Sequence, residues 1–397
     1  MTRNSIREYA EAVRKRYLKA SKKDKKLMLD EFCRTTGYHR KAAIRLLRHP
    51  PSGSSARRGR KAKYGLAVVE TLKTLWEASD RLCSKRLAPF IPELLAALER
   101  HGEIKLEPQV REQLLEISAA TIDRCLKPLR NKGVRRPYSQ SRSSSAFKAQ
   151  IPIRTFSEWT DATPGAVQAD LVMHCGESTE GFHLTTLVVV DVATGWTECQ
   201  PIWGKGQQRV GTGMHLVRQR LPFALKELHT DNGGEFLNEV LYPWCKREGI
   251  RFSRGRPYKK NDQAYSEQKN WSVVRRLVGY DRYSTKEALE QMHKVYGLLR
   301  LYVNFFQPIC KLVDKERVGA KVKKRYDKAQ TPYQRLLEAG ALGEAESQAL
   351  EQLYRSLNPV ELRAKIDREL EVLWRMADRS RSLTPVSKRA EEDTACG

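Results

Sequence analysis

The sequence lacks the features of a membrane protein or a disulfide-stabilised protein. No run approaches the roughly 18 uncharged apolar residues that a transmembrane helix needs. The eight cysteines are scattered singly, without a C-x-x-C pair or a preceding signal peptide, which predicts reduced thiols in a soluble cytosolic protein. The eight histidines form no spaced cluster with those cysteines. A structural zinc site is therefore not expected, and we interpret His174 beside Cys175 as a packing pair.

Negative charge is also scarce. Lysine and arginine number 73 against 47 aspartates and glutamates, and the net charge of +26 is spread over most of the 397 residues. A field of this sign and size favours a polyanionic partner, most simply nucleic acid. A ribosomal or membrane-surface role and a basic surface without any partner are the alternatives. With 40% apolar residues, the chain is long enough for two to four domains.

Residues 1–50 show helical periodicity without strand signals and predict a helix-turn-helix DNA-binding domain. Ser21 is placed to cap the second helix, and the turn at Thr36-Gly37 separates that helix from a third one, which Pro50 ends. A small helical bundle with a solvated basic face is the alternative. The outward side chains that we expect to meet a DNA major groove are His39, Arg40, Lys41 and Arg45.

Two basic linkers flank a second helical segment. Residues 51–65 are rich in Pro, Gly, Ser, Arg and Lys and cannot form a packed core. A basic segment of this kind could lie in the minor groove of DNA. Residues 131–158 form a second basic, serine-rich linker. Between them, helical periodicity predicts a second DNA-binding domain over residues 66–130. The basic residues that we assign to DNA contact in these segments are Arg58, Arg60, Arg124 and Lys127.

The pattern changes from helix to strand over residues 159–310, which predicts an α/β domain. VQADLVMH (167–174) alternates as a strand, and the next apolar segment forms two strands joined at Thr194-Gly195. After a helix, FALKELHTD (223–231) is a further short strand. Asp191 precedes the turn at Thr194-Gly195, where aspartate is common, so we assign it a structural role.

Residues 311–397 are predicted to form a basic, partly helical region for DNA binding and assembly of copies. Its last helix has an apolar face that could hold a second copy or pack on the chain's own α/β domain. The residues of that face are Leu362, Ile366, Leu370, Leu373 and Trp374.

The stretch HTDNGGEF (229–236) directly follows an apolar strand. These letters suit an ordinary surface turn in which Asp231 only meets solvent. They also suit a carboxylate fixed at a strand end, with two glycines that allow close approach of a second body. Asp170 lies on an earlier strand of the same predicted sheet.

A third acid, Glu267, lies on a predicted helix. It falls on an apolar stripe that contains Ala264, Trp271, Val274 and Val278. A glutamate on the buried side of a helix is costly unless something pairs with it, and a divalent cation shared with two aspartates is such a partner. The alternative is a residue at the edge of the stripe that reaches water.

Asp170, then Asp231 in TDNGGEF, then 35 residues, then Glu267 in NDQAYSE resembles the D,D-35-E arrangement of the retroviral-integrase superfamily. With two basic helical modules in front, the chain is similar to bacterial insertion-sequence transposases. The resemblance is strongest over residues 160–305, and the zinc-binding module of retroviral integrases is absent from the sequence.

The resemblance implies a multidomain chain with N-terminal all-α modules and an RNase H-like catalytic core. It further implies a transposase that hydrolyses DNA at the ends of a mobile element and joins the 3′-OH ends to target DNA. Two Mg²⁺ ions, for which Mn²⁺ can substitute, would be held by Asp170, Asp231 and Glu267, since hard cations prefer carboxylate oxygens. The partners implied are the element's terminal repeats, target DNA and further copies of the chain, in a bacterial cytoplasm at the nucleoid.

Residues around the acids receive supporting roles. Asn232 is expected to orient Asp231, and Gly233-Gly234 to leave room for DNA. Tyr258 could stack on a displaced base, and nearby cations could bind phosphates. Those cations are Arg254, Arg256, Lys259, Lys260 and Lys269. A nuclease that does not join strands and a catalytically inactive DNA-binding regulator are the competing functions.

Overall fold

The computed structural model describes residues 1–49, 63–129, 163–256, 260–319 and 321–378. The chain divides into two compact units, Met1–Lys63 and Tyr64–Gly397. The linker predicted at 131–158 and most of that predicted at 51–65, with Arg58 and Arg60, lie outside the described residues. No helix in the described ranges is long and apolar enough to cross a membrane.

The first unit contains three helices, α1 (Arg3–Lys19), α2 (Lys22–Thr36) and α3 (Arg40–Arg48). Ser21 caps α2, as its position predicts, by accepting a hydrogen bond from the backbone N–H of Asp24. Gly37 ends α2 with a φ of 72°, a left-handed conformation that favours glycine. The helices pack around a core of their own, whose most buried members are Ala10, Phe32, Ala43 and Leu47.

The second unit begins with four helices: α4 (Leu66–Ala78), α5 (Ser84–Arg100), α6 (Pro108–Leu115) and α7 (Ala119–Leu126). Their buried side chains belong to the same hydrophobic cluster as one face of the following sheet and the C-terminal helices. The hydroxyl of Tyr302 donates to the backbone carbonyl of Ala78 at 2.7 Å, which ties the end of α4 to this shared core.

A five-stranded sheet forms the centre of the second unit. Its strands are β1 (Ala166–Met173), β2 (Thr185–Asp191), β3 (Thr197–Ile202), β4 (Glu227–Thr230) and β5 (Arg251–Arg254). The order is β3-β2-β1-β4-β5, with the first three antiparallel and β1, β4 and β5 parallel. The turn between β2 and β3 contains Gly195 with a φ of 77°, as predicted at Thr194-Gly195.

Helices cover both faces of this sheet. On one face, Val167 and Ala169 pack with α8 (Gln207–Arg220) and α9 (Leu241–Arg247). On the other face, Val172 and Val188 join the larger cluster that includes α12 (Lys286–Phe306). Because side chains alternate along a strand, Gln168 and Asp170 share the face of Val172.

The chain after β5 is helical and then forms a hairpin. A short helix α10 (Ala264–Lys269) continues through a π-helical turn (Asn270–Arg275) into α11 (Arg276–Val278). After α12, a two-stranded sheet is formed by β6 (Leu312–Val318) and β7 (Lys321–Tyr326). The last helices are α13 (Pro332–Glu338), α14 (Glu344–Ser356) and α15 (Pro359–Arg375).

The apolar face predicted on the last helix packs within the chain. Leu362, Ile366, Leu370 and Leu373 of α15 are at most 5% exposed, and α15 packs chiefly against α12. Of the predicted face, Trp374 is 43% exposed, and its indole N–H donates to the carbonyl of Leu277. The face therefore packs within the chain's own core, which is the second of the two alternatives, and an assembly role for residues 311–397 stays a prediction.

Candidate active site

Asp170 lies on β1 and faces two other acids. Its side chain accepts hydrogen bonds from the backbone N–H of Leu171 at 2.8 Å and from Nδ2 of Asn270 at 2.6 Å. Burial raises the pKa of Asp170 to about 7, and the negative charges of Asp231 and, more weakly, Glu267 act in the same direction. The structure thus places both Asp231 and Glu267 within electrostatic reach of Asp170.

Asp231 follows β4 directly. The parallel register pairs Ala169 with Thr230, so the residues after each of them, Asp170 and Asp231, emerge side by side. Oδ1 of Asp231 accepts the backbone N–H of Gly233 at 2.9 Å, and burial raises the pKa of its carboxyl. The nearby charge of Glu235 raises that pKa further.

Glu267 is placed by a contact that the sequence does not reveal. Oε1 of Gln168, two residues before Asp170, accepts the backbone N–H groups of Tyr265 and Ser266 at 3.1 and 3.3 Å. Its Nε2 donates to the carbonyl of Asp262 at 2.9 Å. The first turn of α10 is therefore fixed on the sheet face that carries Asp170, and Glu267 lies in that turn, exposed. We assign Gln168 the role of positioning Glu267.

The π-helical turn changes which side of the helix is buried. Lys269 and Val273 are 6% and 5% exposed, whereas Trp271 is 52% exposed. The predicted stripe is wrong at Trp271, inside this turn, and at Glu267, which is exposed in α10 before it, although Val274 and Val278 are fully buried as expected. A π-turn has more residues per turn than an α-helix, so a 3.6-residue period loses register across it.

Asn270, in this turn, is a site residue that sequence reasoning missed. It donates to Asp170, while its Oδ1 is buried and accepts no hydrogen bond from the residues that the structure describes. It lies three residues after Glu267, a spacing that places both on neighbouring helical positions. That spacing is the signal that could have identified it.

Asn232 and Gly233 have other contacts than expected. Nδ2 of Asn232 donates to the carbonyl of Gly255 at 2.9 Å, and Oδ1 accepts from Nη1 of Arg254 at 2.9 Å. These bonds join the loop after β4 to the end of β5. A side chain at Gly233 would meet the carboxyl group of Glu235 at 2.7 Å, so this glycine makes room for Glu235.

Two of the residues predicted to contact DNA near the acids, Arg256 and Lys269, are engaged within the chain. The side chain of Arg256 binds the carboxylate of the buried Asp262 with two hydrogen bonds of 2.9 Å. Lys269 is buried, and burial, followed by the charge of Arg86, lowers its pKa to about 8. Lys269 thus faces the interior of the chain and not the solvent. The side chains of Tyr258, Lys259 and Lys260 lie outside the described part of the chain.

The basic side chains predicted in the helical modules are all exposed, and His39 also serves as the N-cap of α3. Its Nδ1 accepts the backbone N–H of Lys41 at 3.3 Å. Arg40 forms an ion pair with Asp30. The remaining exposed members are Lys41, Arg45, Arg124 and Lys127.

The side chains around Asp170 carry oxygen donors of the kind that a hard divalent cation prefers. Asp170, Asp231 and Glu267 supply carboxylate oxygens that repel one another, and Asn270 supplies a buried amide oxygen without a donor. Within the described ranges, no three His, Cys, Asp or Glu side chains lie close enough together to form a metal site as they stand. Like charges hold carboxylates apart, and a bound cation reverses that repulsion.

Comparison with known proteins relates part of the chain to a family of integrase core domains. The integrase core domain family matches residues 161–260, a range that includes Asp170 and Asp231 and ends just before Glu267. "Uncharacterized protein y4rM" of Sinorhizobium fredii (strain NBRC 101917 / NGR234) is 47% identical over 322 residues, which cover 80% of this chain and 91% of that protein. The catalytic core domain of BIV integrase is 22% identical with a TM-score of 0.31, over 45% of this chain and 96% of that one.

The chain belongs to the integrase and transposase superfamily, in the same family as the Sinorhizobium protein. Its integrase core domain places it among polynucleotidyl transferases of transposition or integration.

Proposed function

We propose that the protein is a DNA transposase. It binds the terminal inverted repeats of a mobile element, hydrolyses DNA at the element ends and joins the 3′-OH ends to target DNA. The observation that carries the proposal is the placement of Asp231, directly after β4, and Glu267, on α10, near Asp170 in the middle of β1, where burial and then the charges of these two acids raise the pKa of Asp170. A cluster of like charges that costs folding stability is typical of a functional site.

Each part of the chain then has a task. The three carboxylates, with Oδ1 of Asn270, would hold two Mg²⁺ ions or Mn²⁺, which supply an activated oxygen nucleophile and neutralise charge at the leaving oxygen. Asn270 and the N–H of Leu171 keep the Asp170 carboxylate turned toward the other acids. Gln168 keeps Glu267 at the same sheet face.

DNA recognition is assigned to the helical modules and linkers. The exposed cations of α3 suit a major groove, and the helix-turn-helix assignment of residues 1–50 remains a proposal. Pairing of two element ends requires at least two copies, so we assign the active form as a homo-oligomer on DNA, in a bacterial cytoplasm at the nucleoid. The net charge of +26 supports binding of a polyanion.

The test uses duplex oligonucleotides taken from the terminal repeats in the DNA that flanks the gene. Asp170→Asn, Asp231→Asn and Glu267→Gln should each reduce Mg²⁺-dependent cleavage and joining by at least about a thousandfold, because several kcal/mol of charge stabilisation are lost. Glu235→Gln is the matched control, since Glu235 lies beside Asp231, and it should retain activity.

Two results would contradict the proposal. Near-normal joining by any of the three variants would remove that residue from the site. Cleavage without strand joining by the unmodified protein would indicate a nuclease, which a gel assay for joined products distinguishes.

A further inference from the structure

The β6–β7 hairpin is held firmly at its base. The backbone N–H of Lys311 donates to Oδ1 of Asp327 at 2.6 Å, and the N–H of Asp327 donates back to the carbonyl of Lys311 at 3.0 Å. Nζ of Lys311 donates to the carbonyl of Ala193, in the turn between β2 and β3. The base is therefore fixed to the catalytic sheet.

Beyond its base, the side chains of the hairpin that the structure describes are exposed. Every side chain between residues 313 and 326 whose exposure the structure describes is exposed, including Val313 at 59%, Val322 at 45% and Tyr326 at 52%. A two-stranded ribbon alone is only marginally stable in water. A ribbon with exposed apolar side chains on a rigid base is typical of a surface that meets a partner.

The two faces of the ribbon differ in charge. The register pairs Asp314 with Arg325 and Glu316 with Lys323, so the cations at 323 and 325 stand opposite acids. Lys324 has Lys315 as its register partner. Side chains alternate between faces, so Lys324 shares its face with Val322 and Tyr326. No acid occupies a register position on that face, which we call the Lys324 face.

We propose that the Lys324 face binds duplex DNA, with Lys324 at the phosphate backbone and Tyr326 and Val322 against the sugar edges of a groove. A two-stranded ribbon is narrow enough to enter a major groove. A second copy of the chain is a poor occupant, because two such faces would repel each other through their lysines. The inference rests on the proposed function only in requiring that the protein act on DNA.

The experiment compares Lys324→Ala with Lys323→Ala in the full chain. Both residues are exposed neighbours and both changes remove one positive charge, so a difference between them reports the face and not the overall field. The probe is a fluorescent 30-base-pair duplex of arbitrary sequence without Mg²⁺, and its affinity is measured by anisotropy between 50 and 200 mM salt. Thermal melting checks that both variants fold.

Lys324→Ala should weaken binding roughly five- to tenfold near 0.1 M salt and reduce the salt slope by about 0.9, as expected for one lost phosphate contact. Lys323→Ala should change both values much less, and Tyr326→Ala should weaken binding without changing the slope. Equal effects at positions 323 and 324, or none, would overturn the proposal.

Two further arms address other occupants. Loss of binding to anionic phospholipid vesicles by Lys324→Ala, with DNA affinity unchanged, would assign the face to a membrane surface and overturn the proposal. If Lys324→Ala changed the sedimentation coefficient of the protein in the absence of DNA, the Lys324 face would be assigned to contact with a second copy, and the proposal would be overturned. Since Asp170→Asn should remove cleavage but leave this DNA affinity intact, failure of the proposed chemistry and failure of the hairpin inference are distinguishable.

Discussion

Asp170 and Asp191 lie on neighbouring strands of one sheet, and burial raises the pKa of both, to about 7 and about 6. The carboxylate of Asp191 is surrounded by hydrogen-bond donors. It accepts hydrogen bonds from the backbone N–H of Gly165 at 2.9 Å and from the backbone N–H and the hydroxyl of Thr194 at 2.8 and 2.7 Å. Asp170 instead faces two acids. The two raised pKa values therefore have different surroundings: Asp191 is surrounded by hydrogen-bond donors, whereas Asp170 also has two acids nearby.

The largest expected difference in DNA cleavage is between the variants Asp170→Asn and Asp191→Asn. The first should lose at least about a thousandfold in DNA cleavage and keep or gain thermal stability in metal-free protein, because a repelling charge is removed. The second should keep cleavage per folded molecule but lose about 1–3 kcal/mol of stability, because an amide N–H₂ would meet donors. Cleavage rates and melting temperatures together check both; an inactive, folded Asp191→Asn protein would reverse the comparison.

A smaller difference in cleavage and stability is expected when one neighbour of Asp170 and one neighbour of Asp191 are changed. Gln168→Met keeps the side-chain volume but releases the first turn of α10, and it should reduce cleavage by about 10–100-fold. Thr194→Val removes the hydroxyl donated to Asp191 and should cost about 1 kcal/mol of stability without affecting cleavage. If Gln168→Met retained full activity, its proposed positioning of Glu267 would be excluded.

The smallest effect concerns pH. The folded pKa of each carboxyl lies above its ordinary value, so the folded state holds these protons more tightly than the unfolded chain does. The free energy of unfolding therefore falls as the pH rises through the range between the ordinary and the folded pKa of each group. This range runs from about 4 to about 7 for Asp170 and from about 4 to about 6 for Asp191. In metal-free protein, Asp170→Asn should gain a few °C in melting temperature relative to wild type as pH rises from about 5 to about 7. A constant difference across that range would contradict the assignment.

Local patterns in the sequence predicted part of this site. Alternation placed Asp170 on a strand, turn residues placed Asp191 before a hairpin, and the glycines after Asp231 indicated a strand end. Those features depend on residues close together in the chain. The carboxylate assignment itself stays a prediction.

Other features depend on contacts between distant residues and were not predictable. The bonds of Gln168 to Tyr265 and Ser266 span 97 and 98 residues. A regular helical period predicted a buried Trp271 and an exposed Lys269. The structure has a π-turn that begins at Asn270, and it shows Trp271 exposed and Lys269 buried. The β6–β7 hairpin was also missed, because its charged residues lack an apolar alternation.

The shared core of α4–α7 and the catalytic sheet constrains how this protein can be divided or recombined. Residues 66–129 bury leucines such as Leu72, Leu87 and Leu94 in a cluster that also includes Tyr302 and Phe305 of α12. A fragment cut after residue 129 would leave part of that apolar surface in water. Residues 1–47, by contrast, enclose a core of their own. Exchange of the first unit is therefore expected to leave the core of the second unit intact, whereas residues 66–129 can change only together with the sheet and helices that share their core.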